Sequence, residues 1–287
     1  KIFANHEFGH RRITVERPLR LSAECTDERL APLRFQNGKL HAPMEAIYQA
    51  FGTDWSADTY GDLSKVDTEV RTLLKADFDD LKEKQIKELL SADTWCEQRQ
   101  LLSEAKTVQA EIGTKPSDDY NSFENGVSTA LKSAGLKWSA KEKKQFKEAV
   151  TWTNPDAEPI VKKVLKTKAN PMYGAFEYQG KVVEFQPDSD LRDNEEVPLT
   201  ADTARGVGVN PVNEAYMSAE VLPHVPDAWI DPDKRDERDE QIGVVGYEIP
   251  FNRHFYQYEP PRDLKEIDAD LDVLSAEIME MLREVHS

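Results

Sequence analysis

The sequence has no long apolar run, few cysteines and fewer basic than acidic residues. No stretch approaches the ~18 apolar residues of a membrane helix, so we do not expect a membrane protein. The two cysteines, Cys25 and Cys96, lack CxxC spacing, which favours reduced structural thiols in a cytoplasmic protein. The chain opens Lys1-Ile2-Phe3, without an initiator Met or the apolar core of a signal peptide. We therefore expect it to begin inside a larger protein or after processing.

Acidic residues outnumber basic ones, 54 to 37, and the net charge is −17. A protein that coats DNA carries the opposite sign, because phosphate neutralisation needs Lys and Arg. The imbalance is uneven, since residues 1–40 hold eight basic and five acidic residues. Contact with phosphate is therefore expected near the start of the chain, whereas the acidic remainder favours solvent or a basic protein partner.

The apolar patterns predict a mainly α-helical protein with small β elements. β-branched residues favour a strand at 12–17, and no partner strand is near it in sequence, so we expect its partners to lie outside this chain. Apolar residues on one helical face, with charged residues on the opposite face, predict helices within 43–112 and within 121–150. The second of these regions is expected to be split near Gly135.

The second half of the chain has a different character. Residues 176–185 predict a β-hairpin with Gln179-Gly180 as its turn. Residues 186–211 are polar and predict a long connection, whereas 231–240 are almost all charged and predict an exposed loop. We divide the chain into a strand plus linker at 1–40, a charged helical region at 41–170, a mixed strand and loop region at 171–262, and a C-terminal helix at 263–287.

The C-terminal helix carries the most regular apolar pattern. Its apolar residues are spaced 4, 3, 4, 3, which is an a/d heptad seam over about two heptads. Two interpretations stay open: the helix packs on its own domain, or the seam covers a partner helix. The seam residues are Ile267, Leu271, Leu274, Ile278 and Met281.

Residues 6–10 match the H-E-x-x-H motif of zinc hydrolases, in which two histidines bind Zn²⁺ and the glutamate activates water. The motif residues are His6, Glu7 and His10, and Glu28 is a candidate third ligand. The motif requires a long helix, but Gly9 weakens a helix and an Ile-Thr-Val run follows. We expect a loop that leads into a strand, with a zinc hydrolase as the second alternative function.

Six basic groups lie beside strand-like segments. One role for them is contact with DNA phosphates, and the alternative is solvation or ion pairing with the many carboxylates. They are Arg11, Arg12, Arg17, Arg20, Arg253 and His254.

Three stretches occur in a specific order. They are FGHRRITVERPLRL at 8–21, VLPHVPDAWI at 221–230, and GYEIPFNRHFY at 246–256 followed by Pro-Pro-Arg at 260–262. Together with the acidic DLRDNEEVPL at 190–199, they resemble the C-terminal part of the modification (M) subunit of type I restriction–modification systems. His10 stands where that family more often has Tyr.

The resemblance implies a parent protein that methylates adenine N6, with a helical N-terminal domain, a central S-adenosylmethionine-binding methylase domain and a C-terminal region that docks on helices of the specificity (S) subunit. A restriction (R) subunit joins for cleavage. The family's cofactor glycines and its Asn-Pro-Pro-Phe-type loop lie upstream of the first stretch. We therefore expect no catalytic, cofactor-binding or metal residue in this chain, and S-adenosylmethionine belongs to the parent subunit.

By this resemblance, 1–40 is the end of the methylase domain, and the chain is the helical C-terminal region of an α/β methyltransferase subunit. The expected partners are the S subunit, a second M subunit, the R subunit, and DNA through the assembled complex, all in the cytoplasm and without a membrane. The seam on the last helix is the expected docking surface. The first alternative is a stand-alone helical adaptor or scaffold protein.

Overall fold

The computed structural model describes residues 3–249 and 263–285. The described chain is mixed α/β, about 48% helical and 18% strand in small sheets, so the prediction of a helix-rich protein with small β elements is confirmed at that level. The predicted basic residues Arg253 and His254 lie outside the described residues.

Seven of the nine described α-helices lie within residues 27–150, where apolar periodicity predicts helices over 43–112 and 121–150. The described α-helices are α1 (Asp27–Leu30), α2 (His41–Ile47), α3 (Asp67–Asp77), α4 (Glu83–Leu89), α5 (Ala92–Ile112), α6 (Tyr120–Ser133), α7 (Ala140–Val150), α8 (Val209–Tyr216) and α9 (Leu264–Val285).

Local chemistry sets where these helices begin and end. The Asp119 side chain accepts a hydrogen bond from the Ser122 amide at the start of α6, and Ser139 does the same for Glu142 at the start of α7. Between them Gly135 has φ +68°, a left-handed conformation that glycine adopts without strain. The predicted split of 121–150 near Gly135 is confirmed.

Two apolar cores hold the helical region together. One lies among α1, α5, α6 and α7 and includes Leu30, Leu101 and Phe146. The other lies among α2, α3, α4 and the first turn of α5, around Trp95, whose indole N–H donates to the Leu89 carbonyl at 2.8 Å. Because both cores are supplied by one face of each helix, the opposite faces are left charged.

The strands form three small sheets. They are β1 (Gly9–Glu16), β2 (Leu21–Ala23), β3 (Thr151–Thr153), β4 (Val161–Leu165), β5 (Phe176–Tyr178), β6 (Lys181–Phe185), β7 (Asp193–Pro198), β8 (Trp229–Ile230) and β9 (Val244–Tyr247). β2 pairs with β3, and β6 lies between β4 and β5. The β5–β6 hairpin turns at Gln179 (φ +49°) and Gly180 (φ +74°), which confirms the predicted hairpin.

β1 is the central strand of the largest sheet. It pairs antiparallel with β7 along most of its length. Its residues 15–16 also pair with β8, and its residues 9–12 pair with β9. The prediction that its partner strands lie outside this chain is wrong. β7 falls within 186–211, which we interpreted as a connection. Its sequence, Asp-Asn-Glu-Glu-Val-Pro, buries only Val197, so it gives almost no alternating apolar signal.

The third apolar core lies on this sheet. β1 contributes Ile13 and Val15, β7 contributes Val197, and the segment that continues α8 contributes Met217, all of them at most 4% exposed. The beginning of the chain is therefore packed against residues that follow it by about two hundred positions.

Candidate functional site

Arg11 lies inside the protein, which corrects its prediction as a phosphate contact. Its side chain is 2% exposed and forms an ion pair with Asp239, and its Nη1 donates to the Gly243 carbonyl at 3.0 Å. A buried guanidinium needs such partners, because an unpaired charge in the interior is strongly destabilising. Gly243 has φ +86°, and a Cβ there would lie 2.8 Å from the Arg11 Cγ, so only glycine fits beside this arginine.

The charged segment 231–240 is a mostly exposed loop, as predicted, but Asp236 and Asp239 lie close to this arginine and are shielded from solvent. Asp236 is 8% exposed and accepts hydrogen bonds from the amides of Val245 and Arg238. The Val245 hydrogen bond is the main reason that the pKa of Asp236 lies below its usual range. Burial raises the pKa of Asp239, but the hydrogen bond from Arg11 and the Gln241 amide outweigh it and leave that pKa lowered as well.

Arg17 and Arg20 share one carboxylate. Arg17 Nε lies 3.4 Å from Asp227 Oδ1, and Arg20 Nη2 lies 3.2 Å from Asp227 Oδ2. Arg20 also donates to the Ala157 carbonyl at 2.7 Å. Both arginines are thus held by groups of this chain, as in the ion-pairing alternative. Arg12 is exposed and forms no ion pair within the described residues, so it is the remaining candidate there for a phosphate contact.

The zinc motif does not form a zinc site. His6 and Glu7 lie in a short 3₁₀ helix, Asn5–Phe8, and His10 lies in β1, where its Nε2 is 3.4 Å from Glu196 Oε1. The two histidines therefore do not sit one helical turn apart on a single helix, as the motif requires. The described residues contain no group of three or more His, Cys, Asp or Glu side chains placed to hold a metal ion.

Glu16 is a buried carboxylate at the end of β1. Its side chain is 4% exposed, and its Oε1 accepts a hydrogen bond from Arg192 Nε at 2.7 Å. Burial raises the pKa of Glu16, and Arg192 offsets only part of that effect. The second carboxyl oxygen has no hydrogen-bond partner among the described residues. Glu16 therefore carries a desolvation cost inside the sheet.

The sequence did not single out a groove between α6 and α7. The residues that line it include Tyr120, Phe123 and Trp138, together with Lys143 and Lys147. The Lys147 ammonium lies 4.7 Å from the centroid of the Tyr120 ring, and burial lowers the pKa of this lysine. Trp138 belongs to the first helical core and Phe123 packs against it, whereas Tyr120 lies in a small buried cluster with Leu21, Ala23 and Ile160. Packing therefore explains the aromatic residues without a ligand.

The seam on α9 is exposed. Ile267 is 37% exposed, and the other four seam residues are 48–57% exposed. By contrast Leu74, an apolar residue of similar size on α3, is 1% exposed. Every α9 residue whose burial is described is exposed, so the described residues do not cover this helix. The interpretation that the helix packs on its own domain is therefore wrong within the described part of the chain.

The four segments that carry the family resemblance meet in one sheet. β1 comes from 8–21, β7 from 190–199, β8 from 221–230, and β9 overlaps the start of 246–256. The Arg17–Asp227 and Arg20–Asp227 ion pairs join the first of these segments to the third. Segments far apart in sequence thus form a single structural unit.

None of the helices in residues 3–249 and 263–285 is both long enough and apolar enough to cross a lipid bilayer. Comparisons of this chain with protein-family models, with curated proteins and with solved structures found no match. Among the described residues, most of the exposed large apolar side chains lie on α9.

Proposed function

We propose that this chain is the C-terminal docking region of the M subunit of a type I restriction–modification system, and that α9 packs against helices of the S subunit. The observation that carries the proposal is the exposed seam of α9. A regular apolar stripe on a terminal helix is unfavourable in water and is suited to a groove or seam of another helix.

The size of the seam fits such a role. Covering a Leu or Ile side chain that is about half exposed contributes ~1 kcal/mol. Five such residues supply several kcal/mol, part of which is lost to the entropy of association. The seam therefore contributes to docking, and a tight complex needs further contacts of the assembled subunits.

The sheet around β1 supports the same proposal. The four segments that resemble the M subunit are brought together there by strand pairing and by the Asp227 ion pairs, so they belong to one structural unit. In this proposal the sheet is the platform at the end of the methylase domain from which the docking helix extends.

DNA contact is assigned to the assembled complex. The chain has a net charge of −17, Arg11 is buried, and both Arg17 and Arg20 are paired with Asp227. Of the four predicted phosphate contacts that lie among the described residues, only Arg12 forms no ion pair. S-adenosylmethionine and adenine-N6 methylation belong to the parent subunit, and the further partners, a second M subunit and the R subunit, join the same complex in the cytoplasm.

The proposal is tested by Leu274→Asp, with Val273→Asp as a matched control. Both residues are exposed apolar positions on α9, at 54% and 59%, but Val273 lies off the seam. Because docking would bury the new charge, we expect Leu274→Asp to weaken binding of the S subunit by at least about a hundredfold. Val273→Asp is expected to change it by less than about threefold.

The measurement is the dissociation constant of the chain for the purified S subunit, with thermal unfolding recorded for both variants. Unfolding is expected to stay unchanged, since neither side chain is buried. Equal binding by Leu274→Asp and the unchanged chain contradicts the proposal. A stand-alone helical adaptor is favoured instead if the S subunit does not bind and the seam binds a helix of another protein.

A further inference from the structure

One side of the α9 seam carries a regular row of carboxylates. With Leu271 and Ile278 at a positions, the g positions within the helix include Asp270 and Glu277, and Asp263, which directly precedes the helix, stands one heptad earlier. The next g position in the sequence is also acidic, Glu284. The three described members of this row are exposed. The g positions adjoin the seam, so they face the flank of any helix that packs on it.

The opposite flank of the seam is different. Its e positions are Asp268, Ser275 and Leu282, which are acidic, neutral and apolar in turn. The acidic row is therefore confined to one side of the seam, and it gives the surface a charged edge and a nearly uncharged edge. An asymmetric edge of this kind fixes the side on which a partner's opposite charges must lie.

A second copy of α9 is a poor occupant of this seam. The helix contains seven acidic and two basic residues, so two copies bring like charges together. In an antiparallel pair the g row of one copy would face the g row of the other. In a parallel pair Asp270 and Glu277 would face Ser275 and Leu282 of the other copy, which offer no opposite charge.

We infer that the occupant is a helix of a different protein that has an apolar a/d seam and a row of Lys or Arg along one flank. The acidic g row selects this partner and disfavours pairing between copies of the chain. This inference rests on the proposed function, since it assumes that α9 is the docking element. It adds the charge of the partner helix and the exclusion of self-pairing.

The inference is tested on the full chain with two synthetic helical peptides as probes. Both have Leu and Ile at their a and d positions over about four heptads, and they differ only in carrying Lys or Glu at the flanking e and g positions. Binding is measured by fluorescence anisotropy at about 50 mM and about 500 mM salt. We expect the Lys peptide to bind at least about tenfold more tightly than the Glu peptide at low salt, and the difference to shrink at high salt.

A pair of charge-reversed variants separates position from net charge. Asp270→Lys and Asp272→Lys make the same change in charge on the same helix, but only Asp270 adjoins the seam. We expect Asp270→Lys to weaken binding of the Lys peptide by about three- to tenfold, because it replaces an attraction by a repulsion. Asp272→Lys is expected to change that binding by less than about twofold.

Each outcome bears on a different statement. If both peptides bind equally and the two variants behave alike, the charge inference is overturned, while loss of binding in Leu274→Asp keeps the docking proposal. If neither peptide binds, the charge inference is overturned, whereas the docking proposal is decided by the binding of the S subunit. If sedimentation shows dimers of the chain that Leu274→Asp dissociates, the exclusion of self-pairing is overturned.

Discussion

Two neighbouring arginines of β1 have the same side chain but different surroundings. Arg11 and Arg12 are neighbours in sequence and have the same charge, yet Arg11 is buried against Asp239 and Arg12 is exposed, because successive residues of a strand point to opposite faces. The ion pair stabilises the protein mainly by giving a buried charge its counter-charge.

This difference predicts unequal effects for two Asp→Ala substitutions. Asp239→Ala leaves Arg11 buried without its counter-charge and is expected to lower the free energy of unfolding by about 2–3 kcal/mol. Asp202→Ala removes an equivalent partner from Arg205, but both of those side chains are about 70% exposed, so a change below about 0.5 kcal/mol is expected. Urea denaturation of the two variants measures both values. Similar losses in the two variants would mean that Arg11 is better solvated than the structure indicates.

Turns and helix periodicity depend on residues that are close together in sequence, so single elements could be predicted from the sequence more readily than contacts between elements. The β5–β6 hairpin depends on Gln179 and Gly180, which both have positive φ and so match the twist of the two strands. The α9 seam is a local pattern of the same kind, since its spacing alone predicts which residues share a face.

Two glycine substitutions test these local effects, and we expect them to change the free energy of unfolding in opposite directions. Gly180→Ala places a Cβ in a left-handed turn (φ +74°) and is expected to lower the free energy of unfolding by about 1 kcal/mol. Gly126→Ala lies within α6, where the new Cβ would meet Ile112 Cγ2 at an ordinary 3.7 Å, so a gain of about 0.5–1 kcal/mol is expected. Thermal or urea unfolding measures both. Destabilisation by Gly126→Ala would show that α6 has no room for a methyl group there.

At the scale of the whole molecule, β1 ties the start of the chain to its second half. It supplies the central strand for β7, β8 and β9, and Ile13 and Val15 for the third core. The helical region has separate cores in which β1 has no residue. Loss of β1 is therefore expected to affect one part of the protein much more than the other.

Removal of residues 1–16 tests this organisation. We expect backbone amides of 193–198 and 244–247 to lose their protection from hydrogen exchange, because their partner strand is gone. Amides of α5 serve as an internal control and are expected to keep theirs, since α5 packs in the helical cores. Retained protection in both strands would show that they have another source of stability. Loss of protection in α5 would show that the protein unfolds as one cooperative unit.

Local sequence patterns predict the helix-rich secondary structure, the split near Gly135, the β5–β6 hairpin and the spacing of the α9 seam. Each of these depends on residues within a few positions of one another, through helical periodicity, capping and turn conformation. The heptad spacing alone also predicts the candidate docking surface.

Long-range tertiary contacts, in contrast, set the sheet around β1, the burial of Arg11 and the exposure of the seam. β7 buries Val197 alone among its six residues, and its pairing with β1 is formed across more than 170 positions. Asp227 and Asp239 became ion-pair partners for the same reason, because long-range strand pairing brought them to arginines at the start of the chain. Burial depends on which surfaces meet in space, and local patterns carry no information about that.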